Sequence, residues 1–292
     1  MSSCADEAKL SIVGKFAREA RVPFGIVRAV IAPHTPRMGV AAKAPQFVRG
    51  LIQAAQEMGA AIRALNPDVL IVHSAHWVNT FNWHVTCQSE HRGVCVSAEA
   101  PNIISGVPYR WPGDPVFGRA LVDAINASGH PCEANNSPDF VWDYGSWVPT
   151  HYIDPDGKIP VVLIGTCALS TLDECMRVGH AIRMAAKKSR RRAVFVASTA
   201  LSHKLVRGPD HWPTKERQEA DMKLIELLTH GRIAEAKAWL PHYADFAVGE
   251  VGGRNIATLL GCLNGTTRGA QIGPYGQSSG SGNAHIMLES AA

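Results

Sequence analysis

Nearly continuous apolar runs alternate along this chain with apolar positions at helical spacing, and together they predict βαβ units. Residues 24–32 form one such run, the pattern of a strand buried on both faces. Phe47, Leu51, Ala54, Ala55, Met58, Ile62 and Leu65 then recur at helical spacing through residues 45–65. Asn66-Pro67-Asp68 stops that helix, and residues 69–73 give the next strand. A second unit of the same kind reads as a strand at 159–165, a helix at 171–189 and a strand at 193–198. Between the units, residues 80–112 mix short β-like stretches with polar breaks, and residues 114–129 read as a helix ending at Gly129. Residues 214–240 predict one or two helices, and residues 254–263 a last short one.

The Gly/Ser-rich residues 275–283 have the composition of a linker. The strand-like Ala284-His285-Ile286-Met287-Leu288 follows, so the segment is expected to be an ordered loop that returns the chain to the sheet. With no solenoid-length repeat and no clean linker, the expectation is a single α/β domain over residues 24–292. It would have a mixed, mostly parallel central sheet flanked by helices, and residues 1–23 would be a polar, partly helical extension.

Composition narrows the function classes. A hydrophobic content of 46% against 18% charged residues suits a packed core and argues against disorder. The net charge is only +4, and the one basic cluster, Lys187-Lys188-Ser189-Arg190-Arg191-Arg192, sits where a helix should end. Cations favour that position, so the cluster is read as a solvated helix end and not as a nucleic-acid surface. The seven cysteines are odd in number and contain no Cys-x-x-Cys pair, which fits a reducing cytoplasm better than a disulfide framework or a structural zinc site. No apolar run reaches the roughly 18 residues a membrane span needs. A soluble cytoplasmic protein is expected, with neither nucleic acid nor membrane as partner.

Four apolar runs end in groups that bind metals or move protons. They close with Pro33-His34, with His73-Ser74-Ala75-His76-Trp77, with Leu201-Ser202-His203 and with Gly249-Glu250. In α/β proteins ligands gather at the carboxyl ends of the strands, where residues distant in sequence converge. Two imidazoles and one carboxylate are the set that holds non-haem Fe(II) on one face with positions left open. Taken singly, each residue has a plainer reading. His34 could be a loop histidine stiffened by Pro33 and Pro36, His203 a surface histidine, and Glu250 a carboxylate favoured at a helix start. His73 and His76 lie three apart, so on a regular strand they face opposite ways. His76, next to Trp77 and past the strand end, is the better placed for a site, which leaves His73 to the core or to a supporting role.

The order Pro-His34, His-x-x-His76-Trp, Leu-Ser-His203 and Gly-Glu250 resembles the class III extradiol ring-cleaving dioxygenases. Asp143-Tyr144-Gly145-Ser146-Trp147-Val148-Pro149, Leu240-Pro241-x-Tyr243-Ala244-Asp245 and Ser281-Gly282-Asn283-Ala284 support it, and the resemblance covers about residues 26–288. It implies Fe(II) on His34, His76 and Glu250, with His203 as the acid–base group. Tyr144 stands where protocatechuate-type members carry histidine, which aligns the chain with the dihydroxyphenylacetate and aminophenol types. A small aromatic substrate and O2 would be the partners, in a homo-oligomer with or without a second subunit type. The ring would be a substituted catechol, a 2-aminophenol or a dihydroxypyridine. Arg254, four residues past Glu250 on the expected helix, would approach the ligand and anchor a ring substituent, with His151 and Asn283 adding polar groups. A zinc-dependent hydrolase and a non-catalytic binding subunit on the same fold are the alternatives.

Overall fold

A computed structural model of the protein describes residues 24–264 and 268–289. The extension expected over residues 1–23, Cys4 included, lies outside the described residues. The chain begins with strand β1 (Gly25–Ala32), three short 3-10 turns and helix α1 (Arg49–Ala64), followed by β2 (Val69–Asn79). The vaguely patterned stretch after it resolves into β3 (Trp83–Thr86) and an antiparallel ribbon of β4 (Glu90–Cys95) and β5 (Val107–Pro112). Helix α2 (Pro115–Ala127), β6 (Cys132–Asn135) and helix α3 (Tyr144–Ile153) follow, then β7 (Val161–Cys167), α4 (Leu172–Lys188) and β8 (Arg192–Ser198). Helices α5 (Lys215–Thr229), α6 (Ile233–Phe246) and α7 (Arg254–Cys262) precede a final hairpin, β9 (Gly269–Ser278) and β10 (Ser281–Glu289).

Eight strands form one sheet in the order β6-β3-β7-β2-β8-β1-β10-β9. The four central strands β7, β2, β8 and β1 are mutually parallel, β3 pairs with β6 in parallel, and β10 joins β1 antiparallel. The four central strands are mostly apolar because both faces are covered. Along β2 and β8 alternate residues serve opposite cores. Val69, Ile71, Ala193 and Phe195 pack with α2, α4, α5, α6 and α7, whereas Leu70, Val72, Val194 and Val196 pack with α1 and α3. The result is a three-layer sandwich whose central strands point the same way, so that their carboxyl ends open at one edge.

Two local features depart from expectation. Residues 275–283 are not a loop. They form the facing ends of β9 and β10, with Ser281 opposite Ser278 across a tight turn. Ser279 (φ 52°) and Gly280 (φ 83°) are both left-handed, which is what a two-residue hairpin turn of the primed type requires. Composition suggested a linker because the residues that suit such a turn are also those of linkers. The basic run behaves as a helix end: Lys187 and Lys188 lie in the last turn of α4, and Arg191 pairs with Asp114 at 2.8 Å.

Candidate metal centre

The site is built at the carboxyl edge. His34 lies two residues beyond the end of β1, and its ring is buried. Its Nδ1 is 2.9 Å from Ser198 Oγ, at the last position of β8. The Ser198 hydroxyl donates to the Gly145 carbonyl at 2.5 Å. Its oxygen is therefore free to accept, and His34 must carry its proton on Nδ1. The Nε2 lone pair is left facing the cleft, an orientation that an outer hydrogen bond imposes on metal-binding histidines.

A break in strand register answers the question of His73 and His76. Ser74 pairs with Gly165 of β7, but the next pair is Val78 with Thr166, so residues 75–77 swing out of the ladder. His73 stays in register, fully buried, with Nε2 3.1 Å from Thr166 Oγ1. Burial alone lowers its pKa to about 3. His76 rides on the bulge and reaches the cleft, where its Nε2 is 3.1 Å from His34 Nε2. Its outer nitrogen, Nδ1, is 3.3 Å from Glu99 Oε1 on the loop joining β4 to β5. The bulge is held by Ser74 Oγ, which accepts from the His76 backbone N–H at 3.1 Å and donates to Asp143 at 2.7 Å. Asp143 also caps α3 by accepting from Ser146 N. Gly145 next to it has no room for a side chain, since a Cβ would lie 2.8 Å from Ser74 Oγ and 3.0 Å from the His76 ring.

Glu250 arrives on a strained turn. Val248 (φ 52°) and Val251 (φ 44°) are both left-handed, a conformation costing a β-branched residue about 1–3 kcal/mol. Gly252 and Gly253 continue left-handed before α7 begins at Arg254. The turn delivers a buried carboxylate whose Oε2 accepts from Ala200 N at 2.5 Å. Its Oε1 is 3.3 Å from His34 Nε2, 3.4 Å from His203 Nε2 and 3.9 Å from His76 Nε2. Burial opposes the charge, yet His34, His203 and His76 around it hold the carboxyl far below the usual range. The same carboxylate raises the pKa of His34 against the effect of burial, while burial and His34 together lower that of His76.

His34, His76 and Glu250 each offer an atom within 4.8 Å of the others, a grouping that could hold a metal ion. Ligands about 2.1 Å from an ion and at right angles to one another stand about 3 Å apart. The observed 3.1 and 3.3 Å match that spacing, with the third pair at 3.9 Å. Two imidazole nitrogens and a carboxylate oxygen converging on one point repel one another unless a proton or a cation lies between them. The outer contacts to Ser198 and Glu99 turn both Nε2 atoms inward, so the donor set fits a divalent cation.

The cleft above these three atoms has a volume of about 150 Å³, room for a single aromatic ring. His203, Tyr144, Glu99, Thr35, Leu205 and Asn283 line it as well. Tyr144 packs its ring 4.1 Å from that of His76, and its hydroxyl donates to Glu99 Oε2 at 3.3 Å. Burial and the Glu99 carboxylate push its pKa well up, so it remains a donor. Asn283 is buried, its amide donating to Ser281. Two residues expected at the site are not in the cleft lining. His151 stacks flat on Trp147 at 4.7 Å. Arg254 donates to the carbonyls of Ser170 at 2.8 Å and Val251 at 2.6 Å. The expected approach of Arg254 assumed one continuous helix from Glu250, and the left-handed turn between them breaks it. Ser198 and Glu99 carry supporting contacts that no sequence pattern singled out, and Asp143, which opens one of the motifs of the resemblance, was given no role there. A polar residue closing an otherwise apolar strand is the one signal Ser198 offers.

Residues 28–285 match the family described as the catalytic LigB subunit of aromatic ring-opening dioxygenase, and the chain belongs to that family. It is 28% identical over 222 residues to 3,4-dihydroxyphenylacetate 2,3-dioxygenase of Escherichia coli, covering 74% of this chain and 80% of that one. It is 30% identical over 284 residues to the 2-aminophenol 1,6-dioxygenase beta subunit of a Pseudomonas species, covering 89% and 93%. The alpha subunit of the Pseudomonas enzyme is 22% identical, over 80% of this chain and 88% of its own. The crystal structure of an uncharacterised Escherichia coli K12 protein shares the fold, with a TM-score of 0.67 at 19% identity over 89% of this chain and 99% of that one. No helix among the described residues is long and apolar enough to cross a membrane.

Proposed function

We propose that this chain is a non-haem Fe(II) extradiol dioxygenase. It would insert both atoms of O2 into a single-ring, catechol-like aromatic and open the ring beside its two adjacent heteroatoms. The observation that carries the reading is the convergence of His34, His76 and Glu250 on one point, with His203 on the same carboxylate oxygen at the wall of a ring-sized cleft.

His34, His76 and Glu250 would hold ferrous iron, which would supply Lewis acidity toward a ring hydroxyl and open positions for substrate and dioxygen. The protein's own part is positional and acid–base. His203 would accept the substrate hydroxyl proton and hand it back as the ring opens, with both oxygen atoms kept in the product. Tyr144, kept protonated beside His76, would turn its hydroxyl from Glu99 to a bound substrate. Ser198 and Glu99 keep the two imidazoles turned inward. The substrate is a substituted catechol, a 2-aminophenol or a dihydroxypyridine. The resemblance to both subunits of an aminophenol enzyme supports assembly into an oligomer.

The test is oxygen uptake by protein loaded with iron under anaerobic conditions, against a panel of catechols, aminophenols and hydroxypyridones. Uptake of one O2 per ring, with a new absorbing ring-opened product, is expected from at least one compound. A protein that prefers zinc and hydrolyses esters or amides without consuming oxygen would overturn the proposal.

A further inference from the structure

Behind the cleft, on α5, lies a fully buried carboxylate that the reaction as proposed does not use. Asp221 accepts four hydrogen bonds, two on each oxygen. Oδ1 receives Ser202 N at 3.0 Å and Tyr243 OH at 2.7 Å, and Oδ2 receives Ser202 Oγ at 2.6 Å and Tyr275 OH at 2.5 Å. The described residues give it no cationic partner, so these donors alone compensate the buried group. Burial still pushes its pKa above the usual range.

The donors come from the segments that define the cleft wall. Ser202 immediately precedes His203. Tyr243 sits on α6, which runs into the strained turn carrying Glu250. Tyr275 belongs to β9 of the hairpin that contributes Ser281 and Asn283 to the cleft. Backbone bridges join the same pieces directly, Ser202 to Gly249 and His203 to Ser281. The hairpin also passes straight over the carboxylate: a Cβ at Gly282 would collide with Asp221 Oδ2 and the Tyr275 hydroxyl. Gly282 N meanwhile donates to Ser202 O at 2.9 Å. Ser202 is thus held on its N–H, its hydroxyl and its carbonyl.

The geometry points to Asp221 as a positioning residue that sets His203 against Glu250, acting through Ser202, Tyr243 and Tyr275. This rests on the reading of His203 as the proton carrier. Removing the carboxylate leaves four donors without their acceptor and frees the Ser202–His203 turn, while His34, His76 and Glu250 keep their own contacts to Ser198, Glu99 and Ala200. An amide can replace the carboxylate, because its oxygen can accept from Ser202 N and its NH2 can donate to the Ser202 and Tyr275 hydroxyls once those rotate.

The experiment compares Asp221→Ala, Asp221→Asn, His203→Ala and the Asp221→Ala/His203→Ala double variant, each loaded with iron. For Asp221→Ala, one metal per chain, a kcat lowered about 10–100-fold and a KM within about threefold of the parent are expected, with Asp221→Asn recovering most of the loss. The double variant should be no slower than His203→Ala alone, because a residue acting through His203 has nothing left to act on. An Asp221→Ala variant that folds with unchanged kcat would overturn the inference, as would one that slows the His203→Ala background by the factor seen in the parent. If the alanine variant does not fold, Tyr275→Phe enters the same cycle with the same expected non-additivity. A crystal structure of the variant separates this inference from the reaction itself. A displaced Ser202–His203 turn in a protein that consumes no oxygen would sink the dioxygenase reading and leave the positioning intact, whereas an unmoved turn would sink the positioning whatever the substrate.

Discussion

Replacing Ser198 with alanine should weaken metal binding without removing a metal-facing atom. Ser198 Oγ stands 2.9 Å from His34 Nδ1 and is fully buried, so no water replaces it in the variant without a rearrangement of the core. In the metal-bound state Nε2 is occupied and the His34 proton must stay on Nδ1, where alanine leaves it buried and unpaired. In the metal-free state the ring escapes this cost by moving its proton to Nε2 beside the Glu250 carboxylate at 3.3 Å. The penalty for a buried, unsatisfied donor, about 1–3 kcal/mol, therefore falls mainly on the bound state. Affinity should drop by about 10–100-fold, the range found when an outer partner of a metal-binding histidine is lost. A competition titration of metal-free protein against a chromophoric chelator, without oxygen, measures it. Thr171→Ala is the control. It removes a capping box at the start of α4, should cost about 1 kcal/mol of stability, and should leave affinity alone. Affinity of Ser198→Ala within twofold of the parent would refute the tautomer assignment, and an equal loss in Thr171→Ala would show that the assay reads stability.

His34→Ala and Glu250→Ala should each lose stoichiometric metal, whereas His73→Ala should bind one metal per chain and unfold at lower denaturant; metal analysis beside urea unfolding checks both, and the reverse pattern would reassign the strand. His203→Ala should retain metal and slow turnover by about 10²–10⁴-fold, which stopped-flow oxygen consumption would show. Stability should also fall as the pH drops below about 6.5, because His73 and His285, both buried, have folded-state values lowered by burial to about 3. Between those limits the unfolded chain takes up protons that the folded one refuses, so each histidine removes about 2 kcal/mol by pH 5. Urea midpoints at pH 7 and pH 5 for the parent and His285→Gln test this, and identical pH slopes in the two proteins would contradict it.

What was legible in the sequence, and what was not, follows from how each residue is held. The parallel core could be read because a strand covered on both faces must be apolar throughout, so that a histidine or glutamate at its end stands out by type. His34 and His203 were visible in that way, beyond the ends of β1 and β8, whereas the apolar run before Glu250 is a helix end and a left-handed turn and not a strand. The choice between His73 and His76 needed the geometry of the strand, since a regular ladder turns them to opposite faces and only the bulge over residues 75–77 shows how His76 reaches the cleft. Arg254 was misplaced because helical spacing was carried from Glu250 through Val251, Gly252 and Gly253, all three left-handed. Nothing in the residue types there announces that turn, because valine is among the residues least suited to it. Ser198 and Asp221 were hidden for a different reason. Each is an ordinary polar residue whose importance lies in contacts made across long stretches of chain, from Ser198 to His34 and from Asp221 to Tyr275. The ligand atoms of such a site can be found by type and order, but their orientation is set by neighbours that only the folded chain supplies. The Ser198→Ala and Asp221→Ala experiments both act at that level, the first on the direction of a lone pair and the second on the position of the proposed proton carrier.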